Sequence, residues 1–97
     1  AEIASGVSEF IQLDNCFYVT RQEHTDRGRE FVVCCAEGKG LKHTAKEIVR
    51  RVKAAGFDFI RYHPKSRSFG RAVARTIGVH VTEFTDPVYY MLIDLRG

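Results

Sequence analysis

The spacing of hydrophobic positions changes period along this chain, and each change marks an element. From Val7 to Leu13, and again from Cys16 to Thr20, apolar and polar residues alternate with the two-residue period of a half-buried strand. Asp14-Asn15 between them suits a tight turn, which predicts a hairpin with Phe17 and Val19 on one face. Arg21 to Arg29 is polar, carries Thr25-Asp26-Arg27-Gly28, and reads as a loop or a long hairpin turn. Glu30 to Ala36 is a near-continuous apolar run, as expected of a buried strand. The period then lengthens: Leu41, Ala45, Ile48, Val49 and Val52 fall at i, i+4, i+7, i+8 and i+11, one face of a helix running to Ala55 and stopped by Gly56.

Phe57 to His63 is the next strand, ended by Pro64. A second helix is expected from about Ser66 to Ile77, with Ser66 or Ser68 as its cap and Gly78 as its stop. Val79 to Phe84 and Val88 to Leu95 close the chain as a hairpin around Asp86-Pro87. The order β-β-β-α-β-α-β-β predicts an α/β fold, a mixed and mostly antiparallel sheet with two helices. The strand–helix–strand unit at its centre should be a right-handed parallel crossover. Leu41, Ala45, Ile48, Val49, Val52, Phe59, Phe69, Val73 and Ile77 are the expected core. No linker or repeat interrupts the 97 residues, so residues 1–97 read as a single domain.

Composition narrows the setting. No apolar stretch is long enough for a membrane span, and the first residues have neither a basic head nor an apolar run. The opening Ala is what removal of an initiator Met would leave, and a trimmed chain would look the same. Cys16, Cys34 and Cys35 are an odd set, two of them adjacent in a strand where neighbours point to opposite faces. Reduced thiols in a cytoplasmic compartment fit better than a disulfide framework. His24, His43, His63 and His80 add metal-ligating types, but no C-x-x-C or H-x-x-x-H spacing groups them, and no metal is expected. A net charge of +3 permits an anionic ligand or a nucleic acid and requires neither.

The chemistry with a spatial logic lies where the buried strand meets the first helix, at Gly38-Lys39-Gly40. Glycines let backbone approach a ligand, and the unpaired N–H groups of a helix start, at its positive dipole end, suit a phosphate. A strand-to-helix turn also needs such glycines with no ligand at all. Lys39 and Lys42 sit where the helix dipole does not favour cations, which adds weight to an anion.

From Phe31 onward the element order resembles the C-terminal two-thirds of the GNAT family of N-acetyltransferases. In that family the central strand leads into an Arg/Gln-x-x-Gly-x-Gly/Ala turn that holds the pyrophosphate of coenzyme A at a helix start. Cys35-Ala36-Glu37-Gly38-Lys39-Gly40 stands in that register, followed by Leu41 and Lys42. Arg71 to Val79 is similar to the family's second helix, and Tyr89-Tyr90-Met91-Leu92-Ile93-Asp94-Leu95 to its last strand. The resemblance implies acetyl-coenzyme A bound by Cys35, Ala36, Glu37, Gly38, Lys39, Gly40, Leu41 and Lys42, with an amine as acceptor. Cys35 departs from the Arg or Gln of the motif, Ala74 stands where many members carry a proton-donating Tyr, and Arg67 where they often have Asn. Only about 30 residues precede the central strand, too few for the family's N-terminal helices.

Acyl transfer needs a base for the amine, a donor to the oxyanion and an acid for the leaving thiolate. Glu30, at the start of the central strand, is the first candidate for the base, followed by His63 and Glu83. A backbone N–H of the central strand would serve as donor where a splayed neighbour leaves it unpaired. Tyr62, Tyr89 and Tyr90 are the tyrosines available as acid, with none singled out. Arg67, Arg71 and Arg75 recur at i, i+4 and i+8 and line one stripe of the second helix, either a solvated face or a basic ridge for a partner.

Two readings follow. One is a small GNAT-fold protein that binds acyl-coenzyme A and transfers the acyl group to an amine. The other is a GNAT-like module without catalysis that binds a protein or nucleic acid through Arg67, Arg71 and Arg75. Compact, degenerate proteins of this kind resemble ones carried by bacteriophages, including virion and host-takeover proteins, which would place the chain in a host cytoplasm or a virion. An RNA-binding α/β domain is a third reading, opposed by the lack of aromatic RNP-type motifs. Exposed edge strands would permit a homodimer through sheet pairing.

Overall fold

The computed structural model describes residues 8–96. Its elements are β1 (Ser8–Leu13), β2 (Cys16–Thr25), β3 (Gly28–Gly38), α1 (Leu41–Ala54), β4 (Phe59–Tyr62), α2 (Arg67–Ile77), β5 (Val81–Phe84) and β6 (Tyr90–Asp94). They form one six-stranded mixed sheet in the order β1-β2-β3-β4-β6-β5. Only β3 and β4 pair in parallel, joined by α1, and every other neighbouring pair is antiparallel. The expected α/β architecture with Glu30 to Ala36 at its centre is therefore what the chain adopts. Val7, assigned to the first strand from its pattern, lies outside the described residues.

One segment differs from its expectation. Arg21 to Arg29 is not a loop: β2 continues to Thr25, Asp26-Arg27 makes the turn, and β3 starts at Gly28. The polarity misleads because this stretch uses charge where an ordinary strand uses hydrophobes. Arg21, Glu23 and Thr25 share one face, where Glu23 accepts from Arg21 at 2.5 Å and from Arg61 of β4 at 2.6 Å.

Both helices lie on the same face of the sheet, over Tyr18, Val33, Ile60, Tyr62 and Ile93. Ile48, Val52, Phe59 and Val73 are buried as expected, whereas Leu41, Ala45, Val49, Phe69 and Ile77 are only half-buried. Four of those five (Leu41, Ala45, Val49 and Ile77) line an apolar cavity of about 40 Å³ between the helices and the sheet, so they face incomplete packing. Phe59 belongs to the opposite face. No helix of the described residues covers that side, and arginines do the covering instead. The Arg96 guanidinium sits 4.6 Å above the Phe59 ring and that of Arg61 5.9 Å above Tyr90, so Val32, Phe59 and Leu92 are buried beneath long polar side chains. Phe10 and Phe17 stack at 5.5 Å near the edge of this open face and remain exposed.

The helix ends follow local rules. Ser66 caps α2, its hydroxyl accepting from the Phe69 N–H at 3.2 Å, and Gly78 ends it in the left-handed region. α1 has no side-chain cap: Gly40, at φ 80°, occupies that position. No helix among the described residues is long and apolar enough to cross a membrane.

Candidate functional site

The C-terminal ends of the two parallel strands meet both helix starts, and here the sheet opens. The pairing of β3 with β4 runs from Glu30↔Phe59 to Val33↔Tyr62, followed by a 3.4 Å bond from the His63 N–H to the Val33 carbonyl. Beyond that point β3 continues through Cys34 to Gly38 with no partner strand on that edge among the described residues. A bulge lies at the same place. Val19 pairs with Cys35 and Thr20 with Val33, so Cys34 is an extra residue in β3. A bulge bends its strand and increases the local twist, which fits a central strand that parts from one neighbour while keeping the other.

The two glycines of the following turn have different causes. At Gly38, φ is 124°, and a Cβ would lie 2.2 Å from the Asn15 carbonyl oxygen and 2.7 Å from the Cys16 Cα. The β1–β2 turn packs against it, so this glycine serves the fold. At Gly40, φ is 80° and a Cβ would meet nothing within 4 Å. This glycine faces open space. The turn is held from below: the Cys16 thiol donates to the Lys39 carbonyl at 2.7 Å, and the Tyr18 and Thr44 hydroxyls bond to each other, tying the first turn of α1 to β2. The Gly40 carbonyl accepts from the His43 and Thr44 N–H groups at 3.0 and 3.1 Å. No acidic residue stands in the first turn, and Lys39 and Lys42 are exposed.

The remaining residues of the expected phosphate motif are less uniform. Ala36 and Leu41 line the apolar cavity and face the core side. Cys35 is half-buried, its sulfur 4.0 Å from a Glu37 carboxylate oxygen. Glu37 pairs with Lys65 at 2.8 Å, a bridge between the end of β3 and the β4–α2 turn across the mouth of the gap. That link is not readable from sequence, because it joins a strand end to a loop 28 residues further on.

Glu30 is not at this gap. It lies at the other end of the parallel ladder, three residues before Val33, about 10 Å away along the strand and roughly 26 Å from Gly38. It is fully buried. One oxygen accepts from the Thr25 hydroxyl at 2.8 Å and from Arg27 at 2.9 Å, and the other is 3.6 Å from Arg61. A carboxylate enclosed by two guanidiniums and a hydroxyl organises the open face, and no amine reaches it without dismantling that cluster.

Tyr62 and His63, in contrast, border the gap itself. Tyr62 points into the cavity beneath the helices. Burial first, and then the neighbouring Tyr18, Cys35 and Glu37, push its phenol up to about 12. His63 is on the open face, its ring 5.7 Å from that of Tyr90. Burial lowers its pKa, Arg61 and Arg21 lower it further, and Glu23 opposes them.

The basic stripe of α2 is largely engaged within the chain. Arg71 makes two 2.9 Å bonds to Glu83, another residue considered as a base, and the Arg67 guanidinium is 4.9 Å from the Tyr89 ring centre. Tyr89 also donates to Glu83 at 3.0 Å. Arg75 is exposed in the last turn, where a cation suits the helix dipole. Among the described residues no three His, Cys, Asp or Glu side chains converge as a metal site, and Cys16, Cys34 and Cys35 are free thiols. No family model, no curated protein and no solved structure matches this chain.

Proposed function

We propose that this protein has a GNAT-like fold, binds an acyl-coenzyme A in the gap between the ends of β3 and β4, and transfers the acyl group to an amine. The observation that carries the reading is the overrun of β3: five residues, Cys34 to Gly38, follow the last rung of the parallel ladder without a partner on that edge among the described residues. Unpaired backbone in a sheet interior has to be satisfied by water or by a ligand. An amide-bearing chain such as the pantetheine arm of coenzyme A offers matching donors and acceptors. The pyrophosphate would lie at the start of α1, where Gly40 leaves room and Lys39 and Lys42 supply positive charge. Gly38 drops out of the contact set, because its missing side chain is accounted for by Asn15 and Cys16.

The competing reading, a non-catalytic module that binds through Arg67, Arg71 and Arg75, is weakened by the engagement of Arg71 with Glu83 and of Arg67 with Tyr89. The test is a titration of isotope-labelled protein with acetyl-coenzyme A, followed through backbone amide shifts. Responses should concentrate at 34–42 and 62–65. A silent spectrum at millimolar ligand refutes the proposal.

A further inference from the structure

Tyr62 and His63 are consecutive, and consecutive side chains of an extended strand point to opposite faces. They also occupy the last rung of the parallel ladder, against Val33, immediately before the sheet opens. One therefore borders the gap from the helix-covered face and the other from the open face. We propose that the two residues divide the proton chemistry of acyl transfer across the sheet: His63 accepts the proton of the attacking nitrogen on the open face, and Tyr62 donates a hydrogen bond to the departing sulfur on the helix face. This inference rests on the acyl-coenzyme A reading.

The environments fit those roles. The groups facing His63 are Arg61 of β4, Arg21 and Glu23 of β2, and the Tyr90 ring of β6. Burial and the two arginines keep the imidazole neutral at neutral pH, which is the form that accepts a proton. Burial, and then the nearby Tyr18 of β2 and Cys35 and Glu37 of β3, keep the Tyr62 phenol protonated. Two titratable groups whose surroundings drive them apart in this way are a standard signature of a base and a donor. Magnitude sets the limit on Tyr62. A phenol at about 12 does not surrender its proton to a thiolate whose acid titrates near 8.5. It therefore stabilises the sulfur by a hydrogen bond, and water supplies the thiol proton. In the complete step the nitrogen–carbon bond forms, the carbon–sulfur bond breaks, the nitrogen's proton goes to His63, and the sulfur takes a proton from solvent.

The same charges select the acceptor. An alkylammonium titrating near 10.4 is too weak an acid to lose its proton to a neutral imidazole, and Arg61 and Arg21 repel it. A weakly basic amine, such as an α-amino group near 8, is substantially uncharged at pH 7.5 and meets neither obstacle.

The experiment uses the full chain. Thiol release from acetyl-coenzyme A is measured with alanine amide, which offers an α-amino group, and with Nα-acetyl-lysine amide, which offers only the side-chain amine. Alongside it, calorimetry measures acetyl-coenzyme A binding, and an NMR titration follows the His63 ring in the ligand-free protein. Alanine amide should react at least about tenfold faster at pH 7.5, and its rate per uncharged amine should rise with pH through the His63 midpoint. His63→Gln should lower that rate at least about a hundredfold, within the usual range for a positioned base, and remove the rise. Tyr62→Phe should lower it about tenfold and leave the rise in place. Neither substitution should change coenzyme affinity by more than about twofold. Binding without thiol release, an unaffected His63→Gln protein, a preference for the lysine derivative, or a His63 midpoint at or above 6.5 would each overturn the assignment. Absence of acetyl-coenzyme A binding in the unaltered protein would instead remove the reading beneath it.

Discussion

Replacing each glycine of the β3–α1 turn by alanine separates the fold's needs from the ligand's. At Gly40 the added methyl meets no atom within 4 Å, so the cost is that of a left-handed residue with a Cβ, about 1–2 kcal/mol. Reduced freedom of the unfolded chain returns about 0.4–1 kcal/mol, leaving a loss of at most about 1.6 kcal/mol. At Gly38 the Cβ would sit 2.2 Å from the Asn15 carbonyl oxygen, so backbone must move as well. Backbone strain of about 1–3 kcal/mol and a packing cost of similar size point to a loss of about 3–4 kcal/mol. For a chain of this size, each kcal/mol corresponds to about 4–8 °C in melting temperature. Thermal unfolding followed by circular dichroism should therefore place Gly40→Ala at most about 13 °C below the parent and Gly38→Ala about 12–32 °C below it, with Gly38→Ala the lower of the two. Equal effects, or a larger effect at Gly40, would refute the distinction between the two positions.

Other perturbations reach different parts of the account. Glu30→Gln keeps shape but removes the charge that Arg27 and Arg61 share, and because Arg27 is partly exposed and Arg61 keeps Glu23, urea unfolding should show a loss of about 1.5–3 kcal/mol, the scale of a hydrogen bond to a charged group. An unchanged midpoint would contradict the structural role given to Glu30. Acidification should weaken the protein in two stages. His63 has a lowered pKa, so the unfolded chain binds its proton first, and stability falls as pH drops below the ordinary 6.5 towards the folded value. Glu23 is also lowered: burial opposes its ionisation, but hydrogen bonds from Arg21 and Arg61 together prevail, and its contribution is lost below the ordinary 4.5. Urea midpoints measured from pH 7.5 to 3 should show both limbs, with His63→Gln flattening only the upper one. A midpoint that rises between pH 6.5 and 5 would contradict the sign of the His63 effect.

The sequence carries most of the element order because its signals are local. The apolar run from Phe31 to Ala36, the helical spacing from Leu41 to Val52, and the cap and stop at Ser66 and Gly78 depend on no distant residue. What was not legible depends on contacts across the sheet. Arg21 and Glu23 resemble loop residues until Arg61 of β4 lies beside them. Glu30 resembles a strand-end carboxylate open to substrate until Arg27 and Arg61 close over it. Gly38 and Gly40 are indistinguishable by identity, and only the β1–β2 turn behind Gly38 tells them apart. The bulge at Cys34 belongs to the register of β3 against β2, and the opening beyond Val33 to the unequal lengths of β3 and β4. Such lengths are the weakest part of a periodicity argument.

Calorimetric titration of acetyl-coenzyme A into the parent protein and into Gly40→Asp tests the central claim most directly. The substitution places a negative charge in the open space where the pyrophosphate is proposed to sit, and its Cβ meets no atom within 4 Å. The account predicts saturable binding by the parent and a loss of affinity of at least about tenfold in Gly40→Asp, about 1.4 kcal/mol, with the fold retained by circular dichroism. No heat of binding in the parent, or equal affinity in the two proteins, would contradict it.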